Sequence, residues 1–261
     1  MTQTRAKALI DARKSLETSG IETAALDARL LLLKACNLTH EDLILEGEVL
    51  LTSSEQASLD DSVKRRRAKE PMAYILGRQE FFGRSFHVSP AVLIPRPDTE
   101  SLVEGALKFL SDTKGSARIL DLGTGSGAIL LTLLAEHPNG TGLAIDISEE
   151  ALAVARQNAA ALGLEERVSF EVRDWVEGIS GPFDLIVSNP PYIPDADIDE
   201  LMVDVRDFEP VRALSGGPDG LDPLRIIARS LPDLLVPGGA FFQRLGSARL
   251  PMPVTFWRQR D

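Results

Sequence analysis

The chain has 261 residues, 44% of them hydrophobic and 26% charged, with a formal net charge of −11 at pH 7. Such a balance is that of an ordinary globular protein and excludes a disordered or fibrous chain, and the length suits one large domain or two smaller ones. The Leu30–Leu33 run ends at Lys34, far short of the roughly 18 apolar residues a membrane span needs. The start, M-T-Q-T-R-A-K, has no apolar signal core, and Cys36, the single cysteine, reads as a small core hydrophobe rather than a nucleophile. These features predict no membrane contact and a cytoplasmic setting.

Residues 1–72 read as all-helical. Ala25, Leu26, Leu30, Leu31 and Leu33 fall at helical spacings, and Thr52-Ser53-Ser54 before Glu55 marks the start of a helix running to about Lys69. Asn37 and Gly47 punctuate the turns. The cluster Lys64-Arg65-Arg66-Arg67-Ala68-Lys69 is either a functional basic patch or the solvated, C-terminal charge of that helix. Residues 73–97 form a proline-marked linker, in which Phe86–Val88 and Val92–Ile94, broken by Ser89-Pro90, predict a small hairpin. Asp98 or Thr99 then caps a helix through about Leu110.

From Arg118 onward strands and helices alternate. Strands are expected at 118–123, 142–147, 167–174, 183–189 and 239–245, with helices between them, notably at 127–136 and 149–162. Apolar strands with helical crossovers make a doubly wound, mostly parallel α/β sheet over residues 98–261. Ligands in such sheets bind beyond the carboxyl ends of the strands, so the last residue of each strand is where chemistry is expected.

The first strand ends in D-L-G-T-G-S-G. Gly123, Gly125 and Gly127 allow a sharp turn and a close ligand approach, and the spacing differs from the G-x-G-x-x-G of dinucleotide enzymes. Asp146 closes the second strand, where a carboxylate can accept from both hydroxyls of a ribose. Asp174 and Trp175 follow the third; the acid can accept from an exocyclic amine, and the indole either covers an adenine face or is structural. Together they describe a pocket for a nucleoside with a small charged tail rather than phosphates. No P-loop lysine and no metal-ligand cluster accompany them; the three histidines, His40, His87 and His137, lie far apart in sequence. The fourth strand ends in S-N-P-P-Y, where two prolines forbid continuation of strand or helix.

In this order, D-L-G-T-G-S-G, A-I-D-I, R-D-W and N-P-P-Y resemble a class I S-adenosylmethionine-dependent methyltransferase with a Rossmann-like sheet. The segments A-Y-I-L-G-R-Q-E-F-F-G and L-I-P-R-P-D-T-E, behind a helical N-terminal region, are similar to the HemK-like protein-(glutamine-N5) methyltransferases that modify peptide chain release factors. The resemblance covers residues 1 to about 242. It implies transfer of a methyl group from S-adenosylmethionine to the glutamine amide of a Gly-Gly-Gln loop, leaving S-adenosylhomocysteine. It assigns Gly123, Thr124, Gly125, Ser126 and Gly127 to the methionine part of the cofactor, Asp146 to its ribose, and Asp174 and Trp175 to its adenine. Asn189 touches both cofactor and substrate, and Asn189, Pro190, Pro191 and Tyr192 hold the glutamine amide.

An amide has a delocalised lone pair, but a sulfonium is a strong methyl donor, so alignment and desolvation can carry the reaction. Asn189 can accept one amide N–H and donate to the amide oxygen; the Pro190 carbonyl can accept the other N–H, and Tyr192 offers a flat face. Residues 195–209 hold seven acidic residues and one arginine, a composition that repels phosphates and attracts a basic peptide. Residues 1–85 are charge-neutral and the remainder carries the whole −11, so direct nucleic-acid contact is not expected. Alternatives are an adenine-N6 methyltransferase acting on nucleic acid and a non-catalytic cofactor-binding relic.

The C-terminus departs from that family. Gln243 or Arg244 stands where a glutamate is expected, and the short run to V-T-F-W, interrupted by Pro251 and Pro253, leaves no room for a crossover helix. The expectation is a truncated or altered set of final strands with an exposed sheet edge. The chain would be a monomer, able to self-associate through that edge.

Overall fold

The computed structural model describes residues 3–113, 115–244 and the backbone of 254–258. It divides into two compact units, Met1–Gly77 with Val203–Phe208, and Arg78–Met202 with Glu209–Asp261.

The first unit is helical: α1 (Arg5–Thr18), α2 (Ala24–Cys36), α3 (His40–Leu45), α4 (Ser53–Arg67) and α5 (Met72–Leu76). Thr39 and Thr52 form capping boxes with Asp42 and Glu55, which satisfy the first amides of α3 and α4. Asn37 takes a left-handed conformation (φ 50°) and ends α2. Its core joins Ala8, Ala12 and Leu16 of α1 to Ala28, Leu31 and Leu32 of α2 and Leu59 of α4, with Cys36 packed at its edge. Burial pushes the Cys36 thiol up, as suits a packing residue. Ala25 and Leu26 face solvent instead, because the buried stripe of α2 runs through Ala24, Ala28 and Leu31–Leu33.

The basic cluster is largely spent inside this unit. Arg66 Nε reaches Asp27 Oδ2 at 2.7 Å, Arg65 pairs with Glu70, and Arg67 donates to Ser19. Lys69 donates to the carbonyls of Ser19 and Gly20 at 3.1 and 2.9 Å, capping the end of α1. Four of the cluster's five basic side chains are thus engaged by partners within this unit.

The second unit begins with a hairpin of β1 (Arg78–Phe81) and β2 (Arg84–His87), joined at Phe82-Gly83. This corrects the expected hairpin: residues 86–88 do begin within a strand, but its partner precedes it, and Val92–Ile94 is not a strand. The reason lies in the turn, where Phe82 and Gly83 both have positive φ (50° and 70°), the backbone a two-residue hairpin turn requires. Phe81 and Phe86 pack edge to face beneath it, 6.1 Å between centroids.

A helix α6 (Glu100–Ser111) leads into β3 (Arg118–Leu122), α7 (Ala128–Glu136), β4 (Thr141–Asp146), α8 (Glu149–Leu162), β5 (Val168–Val172) and β6 (Phe183–Ser188). After the short helix α9 (Val203–Arg206), counted with the first unit, come α10 (Asp222–Leu234), β7 (Leu235–Arg244) and β8 (Val254–Arg258). The sheet order is β5-β4-β3-β6-β7-β8. All pairs are parallel except β7 with β8, so the doubly wound, mostly parallel sheet is present. Strand alternation sorts the core into two layers. Ile119, Leu185, Val187 and Phe242 pack with α6, α7 and α8, while Leu120, Leu122, Ile186 and Phe241 pack with α10.

The C-terminal edge is built from one antiparallel strand. V-T-F-W lies in β8, antiparallel to β7 with Phe242 opposite Phe256, and β8 ends the sheet order among the described residues, so the exposed edge falls on β8. An antiparallel neighbour needs only a short return and no crossover helix. The expectation about the run through Pro251 and Pro253 falls on 245–253, outside the described residues. Gln243 is the residue beside Ser188, buried, with its Oε1 unpartnered.

Candidate active site

Strands β4 and β6 flank β3 and continue in opposite directions across the sheet. That reversal opens a crevice at the carboxyl ends, and Ser188 ties it together by donating to the Leu122 carbonyl at 2.7 Å. A cavity of about 520 Å³ lies there, within the range of small-molecule pockets.

The glycine turn forms one wall. Gly123 and Thr124 donate to the Ile145 carbonyl at 3.0 and 2.8 Å, so the loop is held by β4 rather than left free. Gly123, Thr124, Gly125 and Ser126 line the cavity. Gly127 does not; it is the N-cap of α7 in a left-handed conformation (φ 80°), which favours glycine. Gly125 donates to Asp146 Oδ2 at 2.9 Å and Ser148 to Asp146 Oδ1 at 3.0 Å, which fixes that carboxylate in the cavity wall. Each oxygen keeps acceptor capacity for a further donor. Ser148 meanwhile caps α8 through Ala151, so Asp146 is not needed as the helix cap.

Trp175, in a left-handed conformation (φ 50°), lines the cavity with Asp174. Its ring lies 3.7 Å from where a Gly123 Cβ would be. At the end of β6, Asn189 and Pro191 line the cavity, whereas Pro190 and Tyr192 do not. Asn189 Oδ1 is buried and has no hydrogen-bond partner. The Tyr192 ring carries the Arg244 guanidinium 5.6 Å from its centroid.

Four features escaped the reading of the sequence. Asp121, one residue before the end of β3, is fully buried, accepts from Thr124 Oγ1 at 2.7 Å, and has its pKa raised to about 7, first by burial. Asn158 of α8 donates to the carbonyls of His87 and Ser126 at 3.0 and 2.8 Å and accepts from His87 N, tying β2 to the glycine loop. Glu209 pairs with Arg96. Gly216, Gly217 and Gly220 form a loop against the chain that follows Asn189. The run S-G-G-P-D-G-L-D, residues 215–222, was the one sequence signal for that loop.

The cavity wall has an acid fixed at β4, an indole beside a bare glycine backbone, and an unpaired amide oxygen. Among the described residues no three acidic, His or Cys side chains gather as a metal site. These residues fit S-adenosylmethionine: a carboxylate for the ribose, an indole for the base and a glycine loop for the amino-acid tail. A sheet of this order with such a cavity defines a class I methyltransferase, and residues 113–240 match a methyltransferase-domain model. Residues 7–77 match the PrmC N-terminal domain. A release factor glutamine methyltransferase of Rhodospirillum rubrum is 47% identical, over 90% of this chain and 71% of that one. The corresponding protein of Caulobacter vibrioides is 44% identical over 94% and 85%. The chain belongs to the release factor glutamine methyltransferase family, S-adenosylmethionine-dependent enzymes. In fold alone it is also similar to the hMettl16 catalytic domain, with TM-score 0.54 at 18% identity over 72% of this chain and 69% of that one.

Proposed function

We propose that the chain methylates the side-chain amide nitrogen (N5) of the glutamine in the Gly-Gly-Gln loop of peptide chain release factors, in the cytoplasm. The observation that carries this reading is the buried, unpartnered Oδ1 of Asn189 at the cavity wall. A buried acceptor without a donor costs about 1–3 kcal/mol, and a primary amide supplies both the missing N–H and an oxygen for Asn189 Nδ2. The bound cofactor supplies an electrophilic methyl group on a sulfonium. Asn189 aligns the nucleophilic nitrogen at the cavity wall; Pro190 and Tyr192, which do not line the cavity, would meet the amide from outside it, the carbonyl accepting the second N–H and the ring facing the amide plane. Apolar Val92, Ile94, Pro95 and Ile129 in the wall exclude water, which strengthens these contacts. Gly123 to Ser126, Asp146, Asp174 and Trp175 hold the cofactor in the roles described above, and Gly127 shapes the end of that loop.

The acidic Asp195–Glu200 turn, close after Tyr192 in the chain, favours a basic peptide over a phosphate backbone. The helical residues 1–72 are proposed to recognise the release factor. The deciding experiment incubates the protein with labelled S-adenosylmethionine and a release factor, its Gly-Gly-Gln→Gly-Gly-Ala variant, or DNA. Label confined to the intact release factor is expected; label in the variant or in DNA would overturn the reading. Asn189→Ala should lower transfer by at least 100-fold and leave S-adenosylhomocysteine binding within about threefold, since its role is to align the amide.

A further inference from the structure

Glu209 has no part in the reading above, yet its side chain is only 1% exposed. A buried carboxylate is costly unless it is paired and hydrogen-bonded, and this one is both. It forms an ion pair with Arg96 and accepts from the Ile94 amide at 3.3 Å. Ile94 and Pro95 belong to one stretch of the cavity wall, and Pro210, next to Glu209, begins another that includes Val211 and Ala213. One carboxylate thus joins two wall segments that lie 113 residues apart in the chain. Neither Arg96 nor Glu209 lines the cavity, so the pair acts on its shape from behind.

We propose that the Arg96–Glu209 pair is a positioning latch for the cofactor, holding Val92–Pro95 and Pro210–Ser215 in place around the cavity before ligand arrives. This rests on the cavity being the S-adenosylmethionine site. Wall segments ordered in advance spare the ligand that ordering cost. Without the latch the two segments separate, and the loss falls on cofactor affinity more than on turnover at saturation.

The test measures S-adenosylhomocysteine binding by titration calorimetry, KM for S-adenosylmethionine and kcat with a release factor, and thermal midpoint without ligand. It uses Glu209→Gln, which keeps an oxygen for the Ile94 amide but removes the charge, together with Arg96→Ala and Arg96→Lys. Glu209→Gln and Arg96→Ala are expected to raise Kd and KM together by about ten-fold, more than kcat falls, with Arg96→Lys recovering much of the loss. A lowered thermal midpoint with unchanged Kd, in either Glu209→Gln or Arg96→Ala, would show a merely structural pair and overturn the latch. Equal losses in Arg96→Lys and Arg96→Ala would also overturn it. Wild-type protein that binds no S-adenosylhomocysteine would overturn the cofactor reading, and the latch with it.

Discussion

Gly220 lies against the carbonyl oxygen of Tyr192: a Cβ on Gly220 would stand 2.3 Å from that oxygen. The surrounding bonds show why the approach is so close. Ile193 donates to the Leu214 carbonyl, Gly216 to Ile193 and Asp195 to Gly217, at 3.0, 2.9 and 3.1 Å. The 214–220 loop is therefore a brace for N-P-P-Y. Gly220 also has φ +76°, where any side chain adds strain on the order of 1–3 kcal/mol. Gly220→Ala should cut methyl transfer at least ten-fold while S-adenosylhomocysteine still binds, because the displaced element carries Asn189 and not the glycine turn. Wild-type turnover in a folded Gly220→Ala protein would show that the brace does not set the position of Asn189.

Asn158 uses both amide hydrogens and its oxygen on backbone groups of β2 and the glycine loop. Asn158→Asp keeps the acceptor but sets a carboxylate against the carbonyls of His87 and Ser126. The expected cost is about 2–3 kcal/mol, from the two lost donations and the buried charge, read as a lowered urea midpoint with weakened cofactor binding. An unchanged midpoint would mean that water or a backbone shift replaces both bonds.

The pKa of Asp121 fixes the sign of a pH effect. Its folded value is about 7 against the ordinary carboxylate value of 3.8, so between those values the folded state holds a proton that the unfolded chain releases. The contribution of this group to stability is therefore greatest below about pH 4 and is lost as the pH rises to about 7. Asp121→Asn keeps an acceptor for Thr124 and cannot ionise. Its stability relative to wild type should rise from pH 4 to pH 8 in urea titrations; a constant difference would show that Asp121 does not titrate in that window.

In the helical unit, Asp27 and Arg66 form a buried pair, 5% and 14% exposed. Asp27→Ala leaves the guanidinium with the Glu70 carbonyl and no carboxylate. Buried pairs broken on one side lose about 3–5 kcal/mol; the partial exposure of Arg66 brings the expected loss nearer 2 kcal/mol. Thermal unfolding of the full chain should show it as an earlier first transition, and an unaltered melting profile would count against the pair.

Local patterns alone carried much of the fold. Thr52 and Glu55 announced a capping box because the chemistry spans three residues, and β3 to β6 announced themselves through short apolar runs ending in polar residues. The hairpin was misplaced because its deciding feature is a pair of positive φ angles at Phe82-Gly83, which Phe82 does not advertise. The short run after Leu245 excludes a crossover helix but allows the antiparallel return that sets β8 beside β7.

The sequence by itself determined the class of sheet, the strand ends around which the cavity forms, and the family, since these depend on periodicity and on motifs whose spacing is local. Only the tertiary structure decided what encloses the cavity. Glu209 is one of the seven acids of residues 195–209, yet it is buried against Arg96; that partner is 113 residues distant, and no local pattern encodes the pairing. Asp121 looked like the first letter of a glycine motif, and its proton depends on the apolar layer packed around it. Charge and burial at such positions are properties of the packed core, and chain neighbours alone do not set them.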